Sequence, residues 1–387
     1  MKIFYDYQIF SLQSHGGISR YFSELATRMA LFPGTNVLVC ALVHRNSHVR
    51  QSHRPGGGGC SPVIGLYIPH IPKTGKIRQF CNSILSSGCL KSWQPDISHE
   101  TYYAPGSMNS RNVKTVITVH DMIHERFPGS APRRDRTASL KKAAISRADH
   151  IICVSHNTRN DLLECYPVDP GRVSVVHLGC SLTPLDNPVR EQPGITRPYL
   201  LYVGQRTGHK NFRNFLKAYA SSRRLKDTFG LLCFGGGAFT PQEVRFIGDL
   251  HLDPARILQI SGEDQVLAGL YAHAAAFVYP SIYEGFGIPP LEAMSFRCPV
   301  VCSNTGSLPE VVGEAAELFN PDDVEHIMNA VERVAFSPAR SDELISLGLR
   351  QVAKFSWDRC ALETYHVYQK LSTMLPGKIL ACSPLSI

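Results

Sequence analysis

Short apolar runs alternate with stretches of helical spacing along most of this chain, and that alternation restricts the folds open to it more than any other feature. The runs include KIFY at 2–5, NVLVCALV at 36–43, VKTVITV at 113–119, HIICVS at 150–155, RVSVVHL at 172–178, YLLYVG at 199–204, GLLCFGG at 230–236, AFVYPS at 276–281 and PVVCS at 299–303. They lack a clean period of two, so both faces are expected to be buried, as in central parallel strands. The stretches between them read as helices, among them ISRYFSELATRMA, RRDRTASLKKAAISRA and NFRNFLKAYASS. In DVEHIMNAVERVAF, residues Val324, Ile327, Met328, Val331, Val334 and Ala335 form one apolar stripe. Strand–helix alternation of this length predicts doubly wound α/β architecture, used twice.

At 387 residues the chain exceeds one ordinary core and fits two domains. The stretch LTPLDNPVREQPGITRP at 182–198 holds four prolines and little periodicity, so it reads as a linker. The division expected is a first Rossmann-like domain at 1–185 and a second at 198–355. A closing helix follows at 356–374 and a loosely held tail at 375–387. RPGGGGCSP at 54–62 reads as a flexible loop inside the first domain.

Several classes fall away on composition. No window approaches about 18 uninterrupted apolar residues, so a transmembrane helix is not expected. MKIFYDYQIF reads as a buried first strand, without the apolar core of a signal peptide. Of the 12 cysteines none forms a Cys-x-x-Cys pair, and most sit in apolar runs. Buried free thiols in a reducing cytoplasm follow, and zinc is not expected.

The formal charge of +8 is unevenly placed. Residues 1–190 hold 22 Lys and Arg against 12 Asp and Glu, whereas residues 191–387 hold 18 against 20. The first half is therefore at +10 and the second at −2, which suggests different partners for the two. No basic run is long enough for a nucleic-acid arm. In KTGKIRQFCNSILSSGCLKSW (73–93), Ile77, Phe80, Ile84 and Leu85 share a helical face, with Lys73, Lys76, Arg78 and Lys91 towards the ends. That pattern suits an interfacial helix on anionic lipid, or equally a core-facing helix of an α/β domain.

Ligands of open α/β sheets bind beyond the carboxyl ends of the strands, so polar groups placed there matter most. After the first strand come Gly16 and Gly17, which would let backbone approach a ligand at a helix N-terminus or simply form a tight turn. His120 follows VKTVITV, His99 is a weaker equivalent, and His15 reads as loop. Arg206 and Lys210 lie in QRTGHKN after YLLYVG, where fixed charge and helix N–H groups could meet a diphosphate. Gly236 belongs to a triple glycine after the next strand. In YPSIYEGFGIPPLEAM, Glu284 sits in a loop and Glu292 about one turn into the helix opened by Pro289. Two carboxylates so placed can grip separate parts of a long ligand, and the free N–H groups of the first turn suit phosphate.

Together these segments resemble glycosyltransferase family 4, retaining nucleotide-sugar transferases of the GT-B fold, with two Rossmann-like domains facing across a cleft. Glu284 to Glu292 looks like that family's Glu-x7-Glu signature, VGQRTGHKNF its diphosphate loop, HGGISRY its glycine loop, TVHD its cleft histidine and ADHIICVSHNTRNDL the last strand and helix of its first domain. The resemblance spans residues 1–372. It implies catalytic roles for His120, Glu284, Arg206 and Lys210. Arg206 and Lys210 would neutralise the departing diphosphate in place of a metal, and no Asp-x-Asp motif occurs. Gly16, Gly17, Gly236, Gly285, Phe286, Gly287, Ile288 and Leu291 would bind donor, and Glu292 would hold the ribose hydroxyls. The implied co-substrate is a nucleotide diphosphate sugar, with no other cofactor. Transfer would retain anomeric configuration, by front-face attack assisted by the leaving phosphate.

Segments of the form YEGFGxPPLEAM with a Lys-Asn loop recur in bacterial polysaccharide mannosyltransferases. The resemblance therefore favours mannose, carried by GDP, passing to a glycan or lipid-linked acceptor in surface polysaccharide synthesis at the inner face of the membrane. Departures are Gln205 ahead of Arg206 and a short spacing to Lys210. Other readings are a sugar-nucleotide epimerase on this fold and a non-catalytic nucleotide-sugar-binding protein. A glycan phosphorylase needs a longer chain, and a dinucleotide oxidoreductase lacks its GxGxxG.

Overall fold

The structure is a computed structural model and describes residues 1–52, 63–68, 75–106, 113–129, 135–180, 182 and 198–373. The loop expected at 54–62, nearly all of the linker at 182–198 and the tail from 375 lie outside the described residues.

The described chain forms two parallel sheets. The first contains β1 (Lys2–Tyr5), β2 (Asn36–His44), β3 (Val63–Tyr67), β4 (Ile97–Glu100), β5 (Lys114–Val119), β6 (His150–Cys153) and β7 (Val173–Val175), in the order β3-β2-β1-β4-β5-β6-β7. The second contains β8 (Tyr199–Val203), β9 (Gly230–Phe234), β10 (Ile257–Ile260), β11 (Ala276–Tyr279), β12 (Val300–Ser303) and β13 (Ala316–Phe319), in the order β10-β9-β8-β11-β12-β13. Register is set by apolar pairs such as Phe277 with Val300 and Leu200 with Leu231. β4, β5, β6, β8, β11 and β12 are buried along nearly their whole length, which is why their sequences show no alternation. This is α/β architecture with two Rossmann-like halves.

Strand order reverses between β1 and β4 in one sheet and between β8 and β11 in the other. Such a reversal opens a crevice at the strand ends. The loops around Gly16, Lys210 and Glu284 leave from strands that flank these reversals, and the His120 turn leaves from β5, one strand further out.

The helix Trp357–Ser372 leaves the second half and packs on the helix Gly17–Met29 of the first. Its Tyr368 hydroxyl lies 3.2 Å from the Tyr5 hydroxyl and 2.5 Å from His99 Nδ1. Tyr365 stacks on Phe32 at 4.5 Å, and Asp358 pairs with Arg28 at 2.7 Å. Gly179 permits the crossing, because a Cβ there would lie 2.4 Å from the Trp357 nitrogen. One continuous apolar cluster consequently runs from Ile3 through Leu291 to Leu371. The ten cysteines among the described residues are free, six of them buried.

Candidate active site

Two loops of the second half build one wall. The turn Gly208–Lys210 follows β8 and is fastened to the loop after β11 by Ile282 N–H, which donates to the His209 carbonyl at 2.7 Å. This brings Lys210 Nζ to 2.6 Å from Glu284 Oε1, with the Tyr279 hydroxyl donating to the same oxygen at 2.9 Å. Burial pushes the Glu284 carboxyl up, but the charge and hydrogen bond of Lys210, with smaller help from Ser281 and His209, together outweigh it and hold the group below its ordinary range. Glu284 is therefore an anion at neutral pH. Tyr279 is pushed far up by burial and by Glu284, so it stays a neutral donor.

Glu292, just past the middle of the helix Ile288–Ser295, has the opposite electrostatics. Burial raises its pKa to about 7, and Asp264 adds to that, against the pull of Arg20. Arg20 comes from the first half of the chain. It pairs with Asp264 at 2.5 Å and reaches Glu292 at 3.8 Å. This bridge was not singled out from the sequence. The available signal was its place on the first turn of the helix that opens at the glycine pair.

The opposite wall carries His120, half-buried after β5, with Tyr21 edge-on at 5.3 Å. Its Nε2 is buried without a hydrogen-bond partner. Burial lowers its pKa to about 4, helped by Lys141, so the ring is neutral near pH 7. Lys141 is itself buried and fixes this turn. Its ammonium donates to the Asp121 carbonyl and to Glu125, each at 2.8 Å. His99, by contrast, is a structural residue, held between the Tyr368 hydroxyl and Thr118.

The two walls touch at Gly285. A Cβ on that residue would fall 1.7 Å from the His120 carbonyl oxygen. The Gly285 carbonyl accepts from Ser155 Oγ at 2.7 Å and from Thr158 Oγ1 at 3.0 Å, at the N-terminus of the helix His156–Cys165. Glu310 completes that contact by accepting from the His156 and Asn157 N–H groups. Among the described residues His156, His177 and Glu310 are the trio whose metal-ligating atoms converge, within 4.8 Å. The Glu310 carboxylate there already caps the helix and pairs with His177 at 2.6 Å, so the trio serves as an interdomain fastening.

Several expected donor contacts fall elsewhere. Arg206 does not face the cleft. Its side chain is 2 % exposed, and its Nε donates to Glu243 Oε1 at 2.7 Å. Its other nitrogens donate to the carbonyls of Gly235 at 3.0 Å, Gly237 at 2.9 Å and Ala238 at 3.1 Å. It clamps the glycine loop after β9. Gly236, at φ +70°, is shaped by that clamp, since a Cβ would meet the Arg206 guanidinium at 2.7 Å. Phe286 lies between His177 and Phe355, and Leu291 is fully buried in the core. Ile288 is half-buried against the same core. Gly287, at φ +107°, caps the helix where a Cβ would strike Leu308. Gly16 accommodates Gln13, whereas a Cβ on Gly17 would meet nothing within 4 Å, so Gly17 is the member of the pair that borders open space.

Comparison with known proteins identifies the family and the fold. Residues 187–347 match the family model described as "Glycosyl transferases group 1", and residues 15–183 match "Glycosyltransferase Family 4". The chain is 30% identical over 373 residues to O-antigen chain mannosyltransferase B of Escherichia coli, covering 92% of this chain and 96% of that protein. It is 30% identical to O-antigen chain mannosyltransferase RfbU of Salmonella typhimurium, covering 89% and 94%. Among solved structures, sucrose-phosphate synthase from Thermosynechococcus elongatus superposes with a TM-score of 0.74 at 21% identity, over 96% of this chain and 99% of that one.

Proposed function

The chain belongs to the family 4, group 1 glycosyltransferases, and from that premise we propose that it transfers mannose, with retention, from a nucleoside diphosphate sugar to a glycan or lipid-linked glycan of a surface polysaccharide. The observation that carries the reading is the Lys210–Glu284 pair at the β8/β11 strand reversal, facing a neutral His120 with a free ring nitrogen.

In this reading Lys210 exchanges part of its contact with Glu284 for the diphosphate and takes up charge as the leaving group departs. Glu284, freed on one oxygen, accepts from donor sugar hydroxyls. Glu292 accepts from the ribose hydroxyl pair once it ionises. His120 donates or accepts through Nε2 at the sugar from the opposite wall. Arg206 acts at one remove, by holding the glycine loop beside the nucleotide. The attacking acceptor hydroxyl passes its proton to the departing phosphate on the same face, so the anomeric configuration is kept.

The mannosyl relatives support mannose as the sugar, and GDP as carrier follows from the resemblance of the signature segment. A donor screen tests both, since a nucleotide sugar bound by the folded state raises the unfolding midpoint. GDP-mannose should give the largest rise, and the product anomer read by NMR should match the donor's. A larger rise with UDP-sugars, or an inverted product, would overturn the respective part.

No described helix is long and apolar enough to cross a membrane. We assign peripheral contact with anionic lipid at the cytoplasmic face to the basic first half. Its support is the helix Gly75–Trp93, where Phe80, Ile84 and Leu85 are exposed. Lys73 lies outside the described residues, as do the side chains of Lys76 and Ile77. Sedimentation with vesicles that does not depend on anionic lipid would sink this assignment.

A further inference from the structure

Two guanidinium groups of the first half stand side by side without a carboxylate. Arg45 directly follows β2, and Arg78 lies in the first turn of the helix Gly75–Trp93, beyond the end of β3. Each spends one nitrogen on a neighbouring backbone carbonyl. Arg45 donates to Leu12 at 2.6 Å, and Arg78 donates to Ser11 at 3.2 Å. In each the Nε is buried and has no hydrogen-bond partner. Among the described residues neither forms an ion pair. Burial and the charge of Arg45 together pull the Arg78 pKa below its ordinary value. Like charges brought together with donors unmet are costly unless an anion joins them. A guanidinium fork matches phosphate oxygens better than any other common partner.

The place fits a substrate. Arg45 lines a cavity of about 740 Å³ between the two halves, together with His15, His48, Arg20 and Glu24, the last paired with Arg28, on one side and Glu263 and Asp264 on the other. Arg20 is already engaged by Asp264. Arg45 sits at the carboxyl end of β2 and Arg78 in the helix that follows the edge strand β3, both in the first half of the chain, whereas Lys210 and Glu284 belong to the second. The helix that carries Arg78 buries Leu90 against Phe4, Leu38 and Cys40 near its end, but its earlier turns are inverted in polarity. It turns Asn82 and Ser86 inward, with Asn82 bonding both the N–H and the carbonyl of Val43 at 2.8 Å. It leaves Phe80, Ile84 and Leu85 at 66%, 57% and 50% exposure. A helix covering a sheet in water buries its apolar face, so this one is built for an apolar occupant beside a cationic pocket.

We infer that Arg45 and Arg78 form an anion subsite of the acceptor, taking a phosphate or diphosphate ester whose apolar chain lies along Phe80, Ile84 and Leu85. The inference rests on the reading of the first half as the acceptor side of a glycosyltransferase. It accounts for positive charge in the half that does not carry the donor-side lysine.

The test is direct binding, independent of turnover. Calorimetry on the full chain uses dodecyl diphosphate below its micellar concentration, with dodecanol and inorganic phosphate as separate arms. Dodecyl diphosphate should bind, dodecanol should not, and phosphate should bind at least tenfold more weakly than dodecyl diphosphate. Arg45→Ala and Arg78→Ala should each weaken binding at least tenfold, while Arg45→Lys and Arg78→Lys, which keep the charge, should lose less. Lys210→Ala should leave it unchanged, which separates this site from the donor diphosphate site. Equal binding by the wild type and both alanine variants overturns the inference. So does loss of phosphatidylglycerol-vesicle binding in those variants with no affinity for the soluble diphosphate, which would make the pair a general membrane contact. If the diphosphate binds as expected but no nucleotide sugar supports transfer, the glycosyl-transfer reading fails and the subsite stands.

Discussion

The carbonyl oxygen of His120 occupies the space that a side chain on Gly285 would enter, 1.7 Å from where its Cβ would begin. The histidine turn of one half and the signature loop of the other thus meet backbone to backbone.

Gly285→Ala should separate the walls without unfolding either sheet. The neighbour is backbone and cannot rotate away. We expect kcat/KM to fall by about 100-fold or more, because a displacement near 1 Å at the reacting centre costs about that much. Nucleotide affinity, carried by the second half, should change by less than about fivefold, or ~1 kcal/mol. Calorimetry with nucleotide beside steady-state kinetics checks both.

Lys210→Ala removes the cation nearest the expected leaving group and leaves Glu284 buried without its partner. A loss of about 10²–10³ in kcat is expected, the range for removing one fixed stabiliser of developing charge. Glu284→Gln should lower kcat while retaining the fold, because the Tyr279 contact survives. Wild-type rates from either variant would remove the pair from the mechanism.

Glu292 predicts a pH dependence. Its folded-state pKa of about 7 lies above the ordinary 4.5. The folded state therefore holds this proton more tightly than the unfolded chain does. Stability falls as pH rises from about 4.5 to about 7, and the penalty is complete above that. Glu292→Gln should stabilise the unliganded protein at pH 8, on the order of 2–3 kcal/mol, read by chemical denaturation. If the carboxylate is the form that takes the ribose, nucleotide should bind about tenfold more weakly at pH 6 than at pH 8. A pH-independent affinity would rule that role out.

Arg206→Ala should register in stability before catalysis. The substitution leaves Glu243 and three loop carbonyls without their donor. Breaking a buried pair of this kind costs about 3–5 kcal/mol. At a temperature where the variant is folded, KM for the donor should rise by less than tenfold. A larger rise with unchanged stability would return Arg206 to the diphosphate.

How much of this was legible beforehand depended on what each residue answers to. Glu284, Glu292 and the loop of Lys210 were legible because strand ends, helix starts and a dense motif constrain them locally. The sheets were legible because strands buried on both faces leave continuous apolar runs. Arg206 was not, since its partners are carbonyls 29 to 32 residues away that no side-chain pattern announces. Phe286 and Leu291 stood inside the motif yet serve the core, because a motif records both binding and packing. Arg20, Ser155 and Glu310 act across the cleft, and contacts between halves leave no periodic trace in either.

The returning helix bears on how the chain is made. Tyr5 and Tyr368 meet in one buried cluster although 363 residues separate them. At about 5–20 residues per second, a ribosome needs roughly 20–70 s to travel that distance. For roughly the second half of that interval, once β7 has been made, the first sheet is complete while the face around Tyr5, Phe22 and His99 is uncovered. Only the arrival of Tyr368 and its helix closes it, so the strand of this sheet that is synthesised first is among the last to be finished.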